Sequence, residues 1–521
     1  ALILPPIFFG IAAFLVNMVL GRVVTLERSE IGLLKALGYS KWEIALHYLL
    51  LAALVAVIGI LLGWLVGTWL GNGMARLYAQ FFDFPWLVRA GTLDVYAISG
   101  LIGLAAAGIG AIRAAMAAAR LPAAVAMSPP APPRFRRGIV DRMASALRLT
   151  QPAMMVLRGI MRWPLRSALT SLGLAFGVAV LVSSSFLTDA MDAVIDSAFF
   201  RSNRQHVVLA LGHEASLQAV HDAYHLPGVL SVEPQFDLPI TFHNGPRSKQ
   251  AAISARPPGM SLVRTLDDQD RVVQLPEKGL LMSQSLARQL ELQLGDTVLV
   301  EISDSREGTF EVPVTGITKQ YLGLGAYMTM DALSRRLRED VRVTALNLWL
   351  DLDQLPAFRA AIKEMPALAS AVMLTEVRDS FRDTIRENIR RNTILFVSIA
   401  VLITAGVAYN GARIQLSERA RELASLRILG FTRAEVSSIL LGETAVLALI
   451  AQPVGWAIGW AISWSMVNGF DSDLYRLPLV LDPASYANAS LIALAATGAA
   501  ALLVRRRLDK ADLVAVLKTR E

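Results

Sequence analysis

Histidine and carboxylate side chains that could hold a metal ion come together at one place in the sequence. His221 and His225 are four residues apart, Asp222 lies beside them, and His213 is nearby. Two histidines one helical turn apart have a spacing that zinc sites use. A solvated helix face is the simpler interpretation of the same residues, and we predict no metal site.

Nucleotide-binding and nucleophile motifs are absent from the sequence. No G-x-x-x-x-G-K-[ST] loop occurs, so the chain lacks this cradle for ATP phosphates. Gly323-x-Gly325 lacks the third glycine of a dinucleotide loop, and no G-x-S-x-G elbow occurs. With no cysteine, the chain also has no disulfide and no thiol redox chemistry. We therefore predict no catalytic residue and no cofactor in this chain.

One acidic residue lies within an apolar stretch. Glu443 is roughly two helical turns beyond Glu435, in the apolar run 436–464. A charged side chain in hydrocarbon is costly, so it usually faces protein or water. We expect Glu443 to lie at a helix interface near the inner membrane surface, and proton binding is the alternative.

The composition is that of an integral membrane protein. Of the 521 residues, 54% are hydrophobic and 18% are charged, which is too apolar for an ordinary soluble chain. A helix needs about 20 apolar residues to cross the hydrocarbon core of a bilayer. Seven runs meet this requirement, at residues 1–20, 44–71, 95–119, 167–187, 392–409, 436–464 and 486–504.

The distribution of basic residues orients these spans. Lys and Arg concentrate in the loops after the first, third and fifth spans and in the C-terminal tail. The short loops 72–94 and 465–485 contain only Arg76, Arg89 and Arg476. By the positive-inside rule the basic loops are cytoplasmic, so the net charge of +7 requires no nucleic acid partner. The N-terminus is then external, and we expect a further piece of chain upstream of residue 1.

The spans and loops define five segments. They are a first membrane repeat (1–128, with its N-terminal part expected to be missing), a cytoplasmic linker with an interfacial amphipathic helix (129–163), the fourth span (164–187), an external domain (188–391) and a second membrane repeat of three spans (392–521). The Pro- and Ala-rich composition of residues 123–137 predicts that the linker begins there.

Hydrophobic periodicity predicts an α+β external domain. Alternating residues predict strands at 206–211, 297–302 and 341–350, whereas 283–292 and 355–363 have the pattern of helices. The charged stretch 376–391 runs directly into the fifth span, so we predict a helical stalk there. Residues 188–199 are its expected partner.

The first three spans recur as the last three. Residues 30–41 (EIGLLKALGYSK) align without gaps with residues 422–433 (ELASLRILGFTR). Both copies have basic inner loops, so the repeats are parallel and related by an axis along the membrane normal. The predicted fold is a predominantly α-helical polytopic membrane protein with an α+β extracytoplasmic domain, in which two parallel repeats form a pseudo-dimer.

Small residues line one face of the second span in each repeat. The first copy has Gly59, Gly63, Gly67 and Gly71, and the second has Gly455 and Gly459 at equivalent positions. This spacing lets helix backbones approach each other closely in lipid. The glycines mark either a pseudo-dimer interface that opens and closes or static packing inside one half.

A short charged loop with a helical pattern follows the first span of each repeat. The candidate residues are Glu30, Gly32, Lys35, Leu37 and Gly38 in the first copy, and Glu422, Arg427, Leu429 and Gly430 in the second. An acidic residue stands at the start, and a glycine breaks the helix before the next span. Such a helix, held between two spans, is a compact lever whose exposed face a soluble motor can push.

These loops resemble those of the FtsX-like permease family of ABC transporters, which includes MacB and LolC/LolE-type proteins. The residues from Arg120 to Ala124 are similar to the family's basic-x-x-Pro-Ala ending, and residues 279–298 are similar to a recurring segment of its external domain. Two such halves in one chain resemble the fused, two-repeat permeases of the family. The second copy departs from the loop motif at Ala424 and Ser425.

The resemblance implies a function as a transmembrane subunit. In the family the loop helix docks on a separate ABC ATP-binding subunit, which binds ATP and Mg. We expect two copies of that subunit, a possible periplasmic partner protein and contact with membrane lipid. The expected location is the bacterial inner membrane with a periplasmic domain, and the expected substrates are lipids, lipoproteins or peptides.

Two other functions remain open from the sequence. A proton-driven secondary transporter would use Glu443 and need no ATP-binding subunit. A scaffold or sensor would regulate a periplasmic partner without moving a substrate.

Overall fold

The structure, a computed structural model, contains long apolar helices and a mixed α/β domain. It describes residues 4–81, 93–127, 151–162, 164–303, 308–321, 323–418, 425–426, 428–469 and 477–510. Seven helices in these ranges are long and apolar enough to cross a membrane, and they lie at the predicted spans: Phe8–Leu26, Lys41–Gly73, Leu93–Arg120, Ser167–Ser202, Thr393–Arg413, Glu435–Gly469 and Pro483–Arg506.

The chain divides into two compact units. One unit consists of Ala1–Val182, Val397–Ala461 and Ala487–Glu521, and the other consists of Ser183–Phe396 and Ile462–Tyr486. The first contains most of the membrane helices, and the second contains the α/β domain with its adjoining helix ends.

The helices of the first repeat alternate long spans with short segments. They are α1 (Leu4–Leu26), α2 (Arg28–Ala36), α3 (Lys41–Phe81), α4 (Leu93–Arg120) and α5 (Ala123–Met127). The Ala-rich residues after Pro122, at the start of the predicted linker 123–137, form the helix α5. Residues 128–150 lie outside the described ranges.

Small residues bring α1 and α4 together. A Cβ added to Gly110 would stand 2.3 Å from the carbonyl oxygen of Ala13. Beside this contact, Nδ2 of Asn17 donates a 2.9 Å hydrogen bond to the Gly110 carbonyl. The two backbones can approach this closely only because Gly110 has no side chain.

Two helices precede the α/β domain. They are α6 (Gln151–Arg162) and α7 (Pro164–Ile195), and a π-helix at Asp196–Ser202 follows α7. Val156 of α6 packs against Gly442, where an added Cβ would lie 3.1 Å from Val156 Cγ2. The predicted amphipathic helix is thus present and packs on the second repeat through an apolar residue.

The α/β domain is built from nine strands and four short helices in its described residues. The strands are β1 (Val207–Ser216), β2 (Val229–Asn244), β3 (Arg247–Arg256), β4 (Leu280–Ser283), β5 (Thr297–Ile302), β6 (Thr309–Thr318), β7 (Gly325–Thr329), β8 (Arg342–Leu350) and β9 (Leu368–Met373). The helices are α8 (Gln218–Tyr224), α9 (Gln284–Gln289), α10 (Met330–Leu337) and α11 (Leu355–Lys363).

The strand β2 takes part in two sheets because it is 16 residues long. Its first part pairs with β8 in an antiparallel sheet of order β2-β8-β1-β9. Its second part pairs with β3 and β5 and closes the ring β2-β3-β7-β4-β6-β5. Leu238, Ile240 and Phe242 are buried at alternate positions, as expected for a strand with one face in a core.

Three helices complete the second repeat. They are α12 (Leu374–Glu418), α13 (Arg433–Gly469) and α14 (Pro483–Lys510). The predicted stalk 376–391 lies within α12, which is one continuous helix of 45 residues. Its expected partner, 188–199, is helical but ends in the π-helix, where Ser197 Oγ donates a 2.8 Å hydrogen bond to Asp270.

The predicted elements of the α/β domain agree with the structure to different degrees. The strand 297–302 and the helix 355–363 have the predicted bounds. The predicted helix 283–292 is shorter, because Ser283 is its N-cap and Glu291 has a positive φ of 53°. The strand predicted at 206–211 continues to Ser216.

The two repeats meet along α1. The ring of Phe14 packs edge-on against Phe176 of α7, with centroids 5.7 Å apart. Leu15 and Met18 of α1 pack against a buried cluster that includes Leu174 of α7 and Val407 of the second repeat. These aliphatic and aromatic contacts hold the two halves of the pseudo-dimer together.

Candidate functional site

The short helix α2 ends through backbone geometry that only glycine adopts easily. The N–H of Tyr39 donates to the Leu34 carbonyl at 3.1 Å, and Gly38 has a φ of +98°. This is the Schellman ending, in which a left-handed glycine stops a helix and satisfies its last carbonyls. The chain is thereby turned from α2 into α3.

The second repeat has the same ending at equivalent positions. The N–H of Phe431 donates to the Leu426 carbonyl at 3.1 Å, and Gly430 also has a φ of +98°. Glu422 and Arg427 lie outside the described residues. The glycines predicted to break the two loop helices therefore do so with one geometry.

Both turns lead into a capping box that the sequence analysis missed. The backbone N–H of Ser40 donates to Glu43 at 2.7 Å, and the N–H of Glu43 donates back to Ser40 Oγ at 3.3 Å. Thr432 and Glu435 repeat these contacts at 2.8 and 3.3 Å. The S/T-x-x-E pattern at a helix start is the sequence signal that could have found them.

The inner face of α2 is packed against α5 and the ends of α1, α3 and α4. Ile31 is 1% exposed in a cluster with Val24 and Ile44. A Cβ on Gly32 would stand 2.8 Å from Met127 Cγ and 3.0 Å from Ala126 Cβ of α5. Gly32 is thus the position that allows α5 to lie against α2.

Two cations attach α2 to the carbonyl groups behind it. Lys35 Nζ donates to the carbonyls of Ala119 at 2.6 Å and Leu121 at 2.5 Å, and Arg28 donates to Val125 at 2.5 Å. Cations stabilise the C-terminal end of a helix, where carbonyl groups are unpaired. Burial, and then the charge of nearby Lys41, lower the pKa of Lys35.

The outer face of α2 and the following turn form an exposed apolar surface. Its members are Leu33, Leu37, Tyr39 and Trp42, and Leu37 and Trp42 are 69% and 79% exposed. Glu30 lies beside them in the first turn of α2 and is also exposed. We call these four apolar residues the α2 surface. In the second repeat, Ile428 and Leu429 are similarly exposed next to Gly430.

The glycine stripe behaves differently in the two repeats. No atom within the described ranges comes within 4 Å of a Cβ added to Gly59, Gly63, Gly67 or Gly71. The described part of the chain therefore shows no helix packed on this face of α3, and the packing predicted for these four residues stays a prediction. Gly455 and Gly459 do pack closely, against α7 of their own half. The contact they make is not one between the two repeats.

Glu443 lies between helices of the second repeat. It is 3% exposed, and Nε2 of Gln415 on α12 donates a 3.1 Å hydrogen bond to its carboxylate. Sequence analysis missed Gln415, which stands in the last part of α12. The acidic side chain therefore takes part in an interhelical contact.

The histidines do not converge on a site. His213 is on β1, His221 is on α8 and His225 is the residue that follows α8. Across the ranges that the structure describes, no group of three or more His, Cys, Asp or Glu side chains could hold a metal ion.

A further cluster, which sequence analysis missed, joins α12 to the sheet. The ring of His206 stacks on Trp349 with centroids 4.0 Å apart, and its Nδ1 lies 3.0 Å from the Leu350 carbonyl oxygen. The N–H of Leu374, at the start of α12, donates to the His206 carbonyl at 2.9 Å. Arg378 donates to the Gln205 carbonyl at 2.9 Å.

The environment of His206 disfavours its charged form. Burial is the largest effect and lowers the pKa of His206. The positive charge of Arg378 lowers it further, whereas the hydrogen bond with the Leu350 backbone acts in the opposite direction. The neutral ring is therefore the form that this junction accommodates.

Two family models match the chain. The model described as the FtsX-like permease C-terminal matches residues 2–123 and again residues 394–513. The model described as the MacB-like periplasmic core domain matches residues 167–365. The two FtsX-like matches begin with the same separation that lies between Gly38 and Gly430, which confirms the internal repeat.

The chain is similar to two solved structures of extracytoplasmic regions. The periplasmic region of MacB from Actinobacillus actinomycetemcomitans is 10% identical, with a TM-score of 0.23 over 36% of this chain and 97% of that one. The extracellular domain of the noncanonic ABC-type transporter YknZ from Gram-positive bacteria is 12% identical, with a TM-score of 0.21 over 32% of this chain and 100% of that one. No curated protein matches the chain.

The family assignment rests on the two family models. They cover both membrane repeats and the domain between them, in the order that the repeat and the topology predict. The chain belongs to the FtsX/MacB-type permeases, and it is a multi-pass ABC-type permease subunit with a MacB-like periplasmic domain.

Proposed function

We propose that the α2 surface and the equivalent loop 422–430 are the docking points for two copies of a separate ABC ATP-binding subunit. That subunit would bind ATP and Mg, and this chain would transmit its movement from the bacterial inner membrane to the periplasmic domain. The proposed substrates are lipids, lipoproteins, other hydrophobic molecules or peptides.

The observation that supports this proposal is the combination of exposure and rigid attachment at α2. Leu37 and Trp42 are large apolar side chains that are mostly exposed, and exposed apolar surface of this kind marks interaction sites. At the same time Ile31, Gly32 and Lys35 fix the opposite face of α2 to α4 and α5. A force applied to the α2 surface is therefore passed to the membrane helices.

The continuity of the helices supports the proposed transmission of movement. On the membrane side, α2 is separated from α1 by one residue and from α3 by the Gly38 turn. In the second repeat, α12 is a single helix from the sheet junction at Leu374 to Glu418. A continuous helix transmits a displacement along its length without a hinge, so movement at the cytoplasmic end would reach the periplasmic domain.

Co-purification tests the docking. The tagged chain is expressed in its native cells, as the wild type and as Leu37→Asp, and the proteins that co-purify are identified by mass spectrometry. A charge at the centre of an apolar interface costs more than about 2 kcal/mol, so recovery of the ATP-binding subunit should fall at least about tenfold. Leu294→Asp is the matched control, because Leu294 is 66% exposed but lies in the α/β domain.

The outcome separates docking from chance exposure. Loss of the ATP-binding subunit with Leu37→Asp and retention with Leu294→Asp support the proposal. If the wild-type chain brings down no ATP-binding protein, or if Leu37→Asp retains it fully, the α2 surface does not serve this function.

A further inference from the structure

A groove lies between α3 and α4 near their outer ends. It has a volume of about 790 Å³, a size typical of sites for small ligands. Its lining is mostly apolar, and no charged side chain is among the described residues that form it. The walls include Trp64, Thr68, Trp69 and Asn72 of α3, and Tyr96 and Ala97 of α4.

This groove is on a different side of α3 from the glycine stripe. Five residues along a helix rotate a side chain by about 140°, so Thr68 points away from the face that carries Gly63. Thr68 Oγ1 lies 2.6 Å from Tyr96 Oη, and the rings of Trp64 and Tyr96 pack edge-on with centroids 5.7 Å apart. These contacts make α4 the second wall of the groove.

Direct helix packing closes the groove at its inner end. A Cβ added to Gly100 of α4 would stand 2.8 Å from Trp64 Cζ2, and one added to Gly103 would stand 3.3 Å from Ile60 Cγ1. At the same level, the indole N–H of Trp64 donates a 3.2 Å hydrogen bond to Ser99 Oγ. The two helices are therefore in contact from Trp64 inwards, and the groove ends there.

The depth of the groove is close to that of one leaflet of a bilayer. Asn72 is at the outer end, eight residues beyond Trp64, which is about 12 Å along the helix axis. The hydrocarbon of one leaflet is about 15 Å thick. A membrane-spanning helix would need a groove along the whole of α3. An acyl chain that enters from the outer surface fits a groove that stops at Trp64.

We propose that this groove binds one acyl chain of a phospholipid from the outer leaflet of the membrane. The amide of Asn72 is at the mouth of the groove, where its N–H groups can donate to an ester or phosphate oxygen of the lipid. Trp69 is 73% exposed beside it, and indole rings favour this level of a bilayer. Binding of this lipid does not depend on the docking of an ATP-binding subunit at the α2 surface.

The second repeat has a larger side chain at the equivalent position of its own helix pair. Trp456 corresponds to Trp64, and Trp460 corresponds to Thr68. The indole N–H of Trp456 donates to Ser490 Oγ of α14 at 2.9 Å, so α13 and α14 are joined as α3 and α4 are. Threonine at position 68 thus leaves space in the first repeat where the second has an indole ring. The natural difference between the repeats supplies the variant that tests the proposal.

Native mass spectrometry tests whether a lipid is retained. The full chain is reconstituted in nanodiscs of phosphatidylethanolamine and phosphatidylglycerol and then released into detergent. The wild type should retain a phospholipid whose occupancy falls at least about tenfold in Thr68→Trp, because the indole ring takes the space of the acyl chain. Ile109→Trp is the matched control, since Ile109 is 70% exposed on α4 and is thirteen residues from Tyr96.

A phospholipid with a diazirine group on one acyl chain locates the site. After irradiation, mass spectrometry should find the label on Thr68 and Asn72 in the wild type and in Ile109→Trp, and little label there in Thr68→Trp. Ala97→Trp fills the groove from the other wall and should have the same effect, so the test does not depend on the folding of one variant. Equal lipid retention and labelling in the wild type and both groove variants overturn the proposal. So does a label that is spread evenly over the exposed residues of α3 and α4.

Discussion

The ammonium group of Lys35 donates a 2.6 Å hydrogen bond to the carbonyl oxygen of Ala119, across 84 residues of sequence. This contact connects the middle of the loop helix to the end of the third span. It explains how a helix of nine residues, too short to be stable alone, is held as a rigid element.

Lys35→Ala should loosen this attachment. The carbonyls of Ala119 and Leu121 lose a charged donor, and hydrogen bonds to charged groups contribute about 1.5–3 kcal/mol each at most. Hydrogen–deuterium exchange of residues 119–127 should therefore rise, and ATPase stimulation in the complex should fall. The control is Lys363→Ala, because Lys363 is an exposed lysine at the end of α11. Unchanged exchange in residues 119–127 would contradict this role of Lys35.

Replacement of the two turn glycines by alanine should have equal effects in the two repeats. Gly38 and Gly430 share a φ of +98°, a region that costs other residues about 1 kcal/mol or more. Gly38→Ala and Gly430→Ala should each lower the thermal unfolding midpoint by a similar margin and weaken co-purification of the ATP-binding subunit.

Gly498→Ala is the matched control for these glycines. Gly498 has no positive φ and no neighbour within 4 Å of an added Cβ, and it lies inside α14. Alanine there should be neutral or slightly stabilising because it favours the helix. If Gly38→Ala is as mild as Gly498→Ala, the left-handed turn is not required.

Local patterns and the internal repeat predicted most of the fold. Seven apolar runs predicted seven spans, because a bilayer requires a minimum apolar length. The alternation in 297–302 and the pattern of 355–363 predicted their elements with the observed bounds. Equivalent residues such as Gly38 and Gly430 were identified from the alignment alone, since both have a local structural task.

Long-range packing could not be read from the same patterns. The five residues of α5 resemble a linker until Gly32 is seen to leave space for them. The glycine stripes at Gly63 and Gly455 look alike in sequence. Gly455 nevertheless packs on α7, whereas no described atom lies within 4 Å of a Cβ added at Gly63. The partner Gln415 of Glu443 is 28 residues away, at a distance that no periodicity predicts.

The junction at His206 should weaken as the pH falls. Its folded-state pKa is lowered by burial and by Arg378, so the unfolded chain binds a proton more readily than the folded one. The stability contributed by the neutral ring is complete above the unfolded-state pKa of about 6.5. It is lost as the pH falls from there towards the folded-state pKa. The protection of the Leu350 and Leu374 amides against hydrogen exchange, relative to their intrinsic exchange rates at each pH, should fall in this pH window.

His206→Phe separates titration from packing at this junction. Phenylalanine keeps a ring against Trp349 but cannot take up a proton. The protection of these two amides, relative to their intrinsic exchange rates, should therefore lose its pH dependence between about pH 7 and 5. The exposed His221 on α8 provides the control in His221→Phe, which should leave the pH dependence intact. Persistence of the pH dependence in His206→Phe would assign it to another group.

The buried pair of Glu443 and Gln415 distinguishes an ATP-driven permease from a proton-driven transporter. Glu443→Gln keeps an oxygen that accepts the Gln415 hydrogen bond, so ATP-dependent activity and stability should be retained.

Glu443→Leu leaves the Gln415 amide without that acceptor and should cost about 0.6–2 kcal/mol, as interhelical hydrogen bonds in membranes do. The double variant Glu443→Leu/Gln415→Leu should recover part of this loss, since removing both partners is less costly than leaving one unpaired. Thermal unfolding of the wild type, Glu443→Leu, Gln415→Leu and the double variant in detergent measures the coupling. ATPase-linked activity in vesicles measures function. Loss of activity in Glu443→Gln with unchanged stability would show that an ionisable carboxyl group at position 443 is required, and would favour the proton-driven transporter over coupling to ATP.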